Sequence, residues 1–196
     1  MTPSPQELGE QTRQKIIAAT ILLVAEQGWH GVTTRAVAER AGVNNAAVNY
    51  HFSTKADLLR EAAAANLEAE FGQAMKAMVM APSMAQGLRL MMGFFAAIDL
   101  KQPSMVMLLE TMMQSSRDEP LRQNLMKVLA EARQQMADRI AADQAAGTVA
   151  GDRDPLILAT VLAALIDGLL LHRMVDPSVD IARSCVAAIE ALLEKP

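Results

Sequence analysis

The sequence predicts an all-α protein: an N-terminal three-helix helix-turn-helix domain followed by a helical body, about nine helices in total. Three observations predict it. Apolar residues recur at spacings of three and four along most of the chain, the period of an amphipathic helix. Half of the 196 residues are hydrophobic but only 3% are aromatic, so the apolar content is mainly Ala, Leu, Val, Ile and Met, which favours helix over strand. Finally, residues 31–59, GVTTRAVAERAGVNNAAVNYHFSTKADLL, are punctuated into three short helices in quick succession, the local pattern of a helix-turn-helix. A chain of this length can bury a core without disulfide or metal staples.

Residues 1–10 are polar, carry two prolines and lack an apolar signal core, so they read as a flexible, non-secretory N-terminus. From residue 11 to 27, Ile17, Ile21 and Val24 form a stripe widened by Ile16 and Leu23, and Gly28 ends the helix. Trp29 and His30 follow in a loop, Trp29 covering the edge of the small core and His30 solvated. Thr33 or Thr34 can cap a helix that buries Val37, Ala38 and Ala41, and Gly42 supplies the left-handed residue that stops it. A two-turn helix then begins at Asn44 or Asn45, exposing Asn45, Ala46, Asn49 and Tyr50 while Val48 and Phe52 point inward. Its position makes it a recognition helix. Thr54 with Asp57 forms the next start signal, which places Lys55 in the first turn of a long linking helix, residues 54–79, with Leu67, Phe71, Met75 and Met78 on one face. The DNA-binding domain is therefore expected over residues 11–58, extending into that helix.

The run TTRAVAERAGVNNAAVNYHFSTKADLL, preceded by Arg13, Ile16, Ile17, Ala19, Glu26 and Gly28, resembles the DNA-binding domain of TetR-family transcriptional regulators. Gly42-Val43, Tyr50-His51-Phe52, Lys55 and Leu58 fall at that family's spacing. Asn49, where the family often has an aromatic, and Val24, where it often has phenylalanine, depart from it. Residues 145–177, AAGTVAGDRDPLILATVLAALIDGLLLHRMVDP, are similar to the C-terminal regulatory half of several TetR subgroups. The resemblance implies an operator-binding dimer released by a small-molecule effector, with Thr33, Thr34, Arg35, Asn44, Asn45, Ala46, Asn49, Tyr50, His51 and Lys55 as the DNA-binding set. Lys55 suits a phosphate contact, and His51 suits either a phosphate or a backbone partner. Asn44, Asn45 and Asn49 favour adenine and Ala46 or Ala47 a thymine methyl, hence an A·T-bearing half-site.

Residues 80–196 are expected to form the regulatory and dimerisation domain. Pro82 breaks the linking helix and Ser83 caps the next, which carries Leu88, Met91, Phe95 and Ile98. Another helix follows Pro103, and Glu119-Pro120 opens a long one ending near Gly147. Helices over residues 155–174 and 177–193 complete the count, with Asp176 capping the last. Thirteen of the fourteen methionines lie at or beyond Met75, and Met repacks around irregular apolar shapes. A hydrophobic effector pocket is the sharper reading and ordinary core filling the blander one. Met91, Phe95, Met112 and Met136 are candidate walls, with Glu110, Gln114 or His172 as polar anchors. A cationic or amphipathic apolar compound fits such a lining. Leu158, Leu162, Leu165 and Leu169, with Cys185, Ile189 and Leu192, offer more apolar surface than one bundle can hide, as an isologous dimer face would.

The window 156–175 is apolar enough to raise a membrane span, but Asp167, Gly168, His172 and Arg173 interrupt it, so a buried interface helix in a cytoplasmic protein is expected. One cysteine rules out an intramolecular disulfide. His30, His51 and His172 are scattered without metal-site or nucleophile–base spacing, and no Gly-rich phosphate loop is present, so neither enzyme, cofactor nor metal is expected. The net charge of −4 argues against nucleic-acid binding when taken whole. Its distribution softens the objection. In residues 1–60, six Lys and Arg stand against five Asp and Glu, a net of +1 that leaves −5 for the remainder. Two rivals stay open: a constitutive, architectural DNA-binding protein, and a helical ligand-binding module without DNA affinity.

Overall fold

The computed structural model describes residues 4–180 together with 186, 187 and 191, and for Phe71, Gln73 and Ala74 the backbone only. Eight helices are described: α1 (Pro5–Gly31), α2 (Thr34–Ala41), α3 (Asn45–His51), α4 (Lys55–Met80), α5 (Met84–Ala97), α6 (Pro103–Ser115), α7 (Glu119–Ala145) and α8 (Pro155–Val175). No strand occurs among the described residues. Most of the expected ninth helix, including Cys185, Ile189 and Leu192, lies outside them. Its expected start is not seen: Asp176 accepts from the Ser178 backbone N–H (2.9 Å) and hydroxyl (2.6 Å), closing a turn over residues that would have been the first helical ones.

The first helix starts earlier than the sequence reading placed it. Ser4 and Glu7 form a capping box, the Ser4 Oγ accepting from the Glu7 N–H (3.2 Å) and the Glu7 carboxylate from the Ser4 N–H (2.6 Å), so residues 5–10 are helical, not a loose tail. Pro5 fits there because the first helical N–H has no intrahelical partner. At the other end Gly28, with φ 72° and ψ 164°, breaks the helix where expected, and a single further turn carries Trp29 inward.

The chain divides into two compact units: residues 1–70 with 100–125, and residues 71–99 with 126–196. This differs from a division at residue 80. Residues 100–125 were expected in the body, yet α6 runs along α1, and Met107 and Leu121 are buried in the same core as Ile16, Val24, Val37, Val48, Phe52 and Leu58. Asn66, itself buried, donates to the Ser104 carbonyl at 2.9 Å. The sequence showed that α6 had an apolar stripe, but a stripe does not name the surface it will cover.

The second unit, the body, is built around Met78, Met84, Met91, Met92 and Met136 with Leu88, Phe95, Ile140, Leu158, Leu162 and Ile166. Its turn between α4 and α5 is held by α7: buried Asp143 accepts from the Met84 N–H (2.6 Å) and pairs with Arg139 (2.9 Å), which also donates to the Pro82 carbonyl. From α8, Arg173 reaches the Phe95 carbonyl and, at 2.7 Å, that of Ala96, capping the end of α5. Leu158 and Leu162, expected on a dimer face, are core residues of this unit, 8% and 1% exposed. Leu165, from the expected set, does face outward, together with Ile157 and Val161, and the outward apolar stripe of α8 continues to Val175. Leu169 is partly buried against the core. The apolar face of α8 is wider than one helix contact requires, so the core takes its centre, Leu158 and Leu162, and leaves a flank outside.

Candidate nucleic-acid interface

The first unit builds one continuous surface from capped helix starts. Thr33 caps α2, its hydroxyl accepting from the Ala36 N–H at 3.2 Å. Gly42, with φ 68° and ψ 32°, closes it, the Gly42 N–H donating to Glu39 and the Val43 N–H to Ala38, the paired bonds of a Schellman end. Asn44 caps α3 by accepting from the Ala47 N–H at 2.8 Å. Between them these caps fix the turn of a helix-turn-helix. Val48 is fully buried behind α3, Phe52 is 3% exposed, and Tyr50 stands 86% exposed on the opposite face.

Asn45, Ala46, Asn49 and Tyr50 therefore share one solvent face, with Thr33 and Arg35 exposed at the start of α2 and Thr34 half-buried beside them. Asn44 differs from the other two asparagines. Its side-chain oxygen is committed to the cap, which leaves Asn45 and Asn49 with both amide groups free to read an adenine edge. His51 is half-buried and packs edge-on to Tyr50, ring centres 5.2 Å apart.

The cations sort into two kinds. Arg40 grips Glu26 through two bonds of 2.7 and 2.8 Å and ties α2 to α1. The carboxylate of Glu26 is held below its usual range, chiefly by that bond. Arg13 pairs with Glu61 and lies over the Phe52 ring, and Arg60 pairs with Asp57 and Asp118. These are structural. Lys55, by contrast, meets no carboxylate: its ammonium donates only to the His30 carbonyl, at 3.0 Å, which fixes its position and leaves two N–H donors. It sits at the start of α4, where Thr54 and Asp57 cap each other (2.8 and 3.1 Å). Arg35 is exposed and also has no carboxylate partner among the described residues. Free cations and backbone N–H groups at helix starts are what a phosphate backbone binds.

A class follows from this arrangement, that of helix-turn-helix DNA-binding proteins. Comparison with known proteins narrows it. Residues 16–62 match the family model for bacterial regulatory proteins of the tetR family, and residues 84–195, more than half of the chain, match that of the BetI-type transcriptional repressor C-terminal domain. The chain belongs to the TetR family of transcriptional regulators. Over 69 residues it is 39% identical to the HTH-type transcriptional regulator BetI of Serratia proteamaculans, a match covering 35% of this chain and 34% of that protein; the chain thus aligns with about a third of that relative's length. Its fold is shared by a regulator from Saccharomonospora viridis solved in complex with choline, at 24% identity, a TM-score of 0.77 and coverage of 93% and 95% of the two chains. It is shared also by FadR of Bacillus subtilis in complex with stearoyl-CoA, at 19% identity, a TM-score of 0.72 and coverage of 92% and 97%.

The candidate effector residues do not gather in one unit. Met91, Phe95 and Met136 are 6%, 9% and 2% exposed in the body core, and His172 is exposed on α8. Glu110, Met112 and Gln114 lie on α6, in the first unit. The expectation had placed α6 in the body. A residue not expected at a site is Asp167, half-buried on α8 with no hydrogen-bond or ion-pair partner among the described residues, whose carboxyl burial pushes up from its usual range. A single Asp inside the most apolar helix was the available signal.

Proposed function

We propose that this regulator binds a two-fold related operator as a homodimer, with α3 of each protomer in the major groove, and represses transcription until a small effector occupies the body. The exposed face of α3, Asn45, Ala46, Asn49 and Tyr50 over buried Val48, is the observation that carries the DNA-binding part. Competent half-sites then lie about 34 Å apart or a multiple of that. The dimer reading is supported by the outward stripe of α8, Ile157, Val161, Leu165 and Val175, which is 65%, 45%, 37% and 88% exposed. That helix is long and apolar enough to cross a bilayer; we assign its outer face to a second copy in the cytoplasm, because Asp167, His172 and Arg173 interrupt it and Arg173 is bonded into the body.

The effector reading is supported by the methionine-built core around Met91, Phe95 and Met136, a lining that adapts to apolar ligands. A half-buried carboxyl on the same unit, Asp167, which has no hydrogen-bond or ion-pair partner among the described residues, would complement the charge of a cationic compound such as choline, the ligand of the Saccharomonospora viridis neighbour. Coupling of about 1–3 kcal/mol between the sites suffices for a switch. The experiment is to sequence DNA retained on the immobilised protein and measure binding to the recovered fragment by anisotropy. Asn49→Ala should cost about 1–3 kcal/mol on that fragment and leave random duplex binding unchanged; equal loss on both sinks the recognition role of α3. Choline should weaken wild-type binding and fail to weaken that of Asp167→Asn.

A further inference from the structure

The α6–α7 turn contributes a carboxylate to the DNA-binding unit that nothing in the helix-turn-helix accounts for. Asp118 sits at the start of α7, where its Oδ1 accepts from the Leu121 N–H at 3.0 Å. It also shares with Lys55 the walls of an open cleft of about 310 Å³, lined by Trp29, His30, Lys55, Ala56, Leu59 and Asp118. An acid facing the same cleft as a phosphate-binding ammonium is a competitor for it. Opposite charges in such a cleft attract by Coulomb's law, and a carboxylate near the binding edge also repels DNA phosphates.

Arg60 resolves the conflict. Its Nε lies 3.0 Å from both Asp118 oxygens, and a second nitrogen donates to Asp57 at 3.2 Å. Asp57 in turn accepts from the Thr54 hydroxyl that caps α4. The guanidinium therefore neutralises Asp118 and, through Asp57, braces the helical turn in which Lys55 stands. We propose that Arg60 is a positioning residue for DNA binding: by occupying Asp118 it keeps the Lys55 ammonium on the His30 carbonyl and available to a phosphate, instead of drawn across the cleft to Asp118. Arg60 and Asp118 need not touch DNA to act in this way.

The inference rests on the reading of Lys55 as a phosphate contact, and one set of titrations separates the two. The probe is a random-sequence 30-base-pair duplex (length chosen at roughly three helical turns), because backbone contacts are independent of sequence. Affinity is followed by anisotropy against KCl, since each phosphate contact contributes about 0.9 to the slope of log K on log salt. Lys55→Ala should lower the slope by about 0.9 for each head bound. Arg60→Gln should lower it by the same amount, Arg60→Lys and Asp118→Asn should keep the wild-type slope, and Arg60→Gln with Asp118→Asn should regain it. A bracing role alone predicts the reverse for the double variant, a loss at least as large as for Arg60→Gln. An unchanged slope in Lys55→Ala overturns the phosphate reading and the proposal with it. A reduced slope in Lys55→Ala without recovery in the double variant overturns the proposal alone. Melting curves establish which variants fold; should Arg60→Gln not, the double variant still decides, a wild-type slope supporting the proposal and a Lys55→Ala-like slope overturning it.

Discussion

The two units solve the problem of a packed core with different materials. In the DNA-binding unit the buried cluster is Ile, Val, Leu and Ala, closed by Trp29 and Phe52, with Met107 its one methionine among the described residues; in the body, five of fifteen clustered core residues are methionine. Stiff, branched side chains with few rotamers define a single arrangement, whereas unbranched thioethers tolerate several. The DNA-binding unit also fixes its helix starts with side-chain caps at Ser4, Thr33 and Asn44 and cross-links them through Arg13, Arg40 and Arg60. On the function proposed above, precision at a surface that matches a duplex and adaptability in a core that admits a ligand call for these opposite choices.

Matched truncations give the largest effect and the most direct test of that contrast. Leu58 and Met92 are both fully buried, one in each unit. Leu58→Ala should cost about 3–5 kcal/mol and Met92→Ala about 2, because the cost of a core truncation depends on how far the site can collapse. Denaturant unfolding of both variants measures this, and equal costs would break the proposed difference in core character.

Two glycines sharpen it further. Gly87 in α5 faces the end of α4 so closely that a Cβ would lie 2.6 Å from the Met78 carbonyl oxygen, a backbone atom that cannot swing aside. Gly42 has open space around it but a φ of +68°. Gly87→Ala should destabilise by about 1–3 kcal/mol through overpacking, and Gly42→Ala by about 1–2 through backbone strain. Asparagine distinguishes the causes: it should restore most of the loss at residue 42, where its side chain tolerates the left-handed region, and make matters worse at residue 87. Thermal melts in which asparagine behaves alike at both positions would remove the distinction.

The helix-turn-helix was legible because its signals are local. Thr33, Gly42, Asn44 and Thr54 act within three or four residues of themselves, and the structure places each as that chemistry requires. The capping box at Ser4 and Glu7 was equally local and went unread behind two prolines. What could not be read was partnership. The stripe on α6 is as clear as that on α5, but one covers α1 and the other joins the methionine core. The choice depends on complementary shapes more than 80 residues apart in sequence, as between Ile16 and Met107. Leu158 and Leu162 went to the core of their own unit for a related reason: with Leu, Ile, Val or Ala at most sites between residues 156 and 166, the pattern does not say which strip is innermost.

The smallest expected effect concerns Asp167, a half-buried carboxyl of the body with no hydrogen-bond or ion-pair partner among the described residues. Burial without a polar partner raises its pKa, so between the ordinary Asp value, about 3.9, and the raised one the native state binds more protons than the unfolded chain. Stability must then fall as pH rises through that window, and the whole cost is present above it. Asp167→Asn removes the charge and nearly preserves the shape. At pH 7 the variant should gain roughly 1 kcal/mol, the low end for an uncompensated buried polar group, or about 2–4 °C in Tm for a chain of this size. The gain should vanish as pH falls below the ordinary carboxylate range, where both proteins are neutral at this site. A gain independent of pH would mean that the side chain's shape and not its charge is at issue, and the body would then hold no counter-charge for a cationic effector. A gain that also disappears at pH 7 when choline is present at saturation would show that the cost borne by the free protein is recovered when a cation binds.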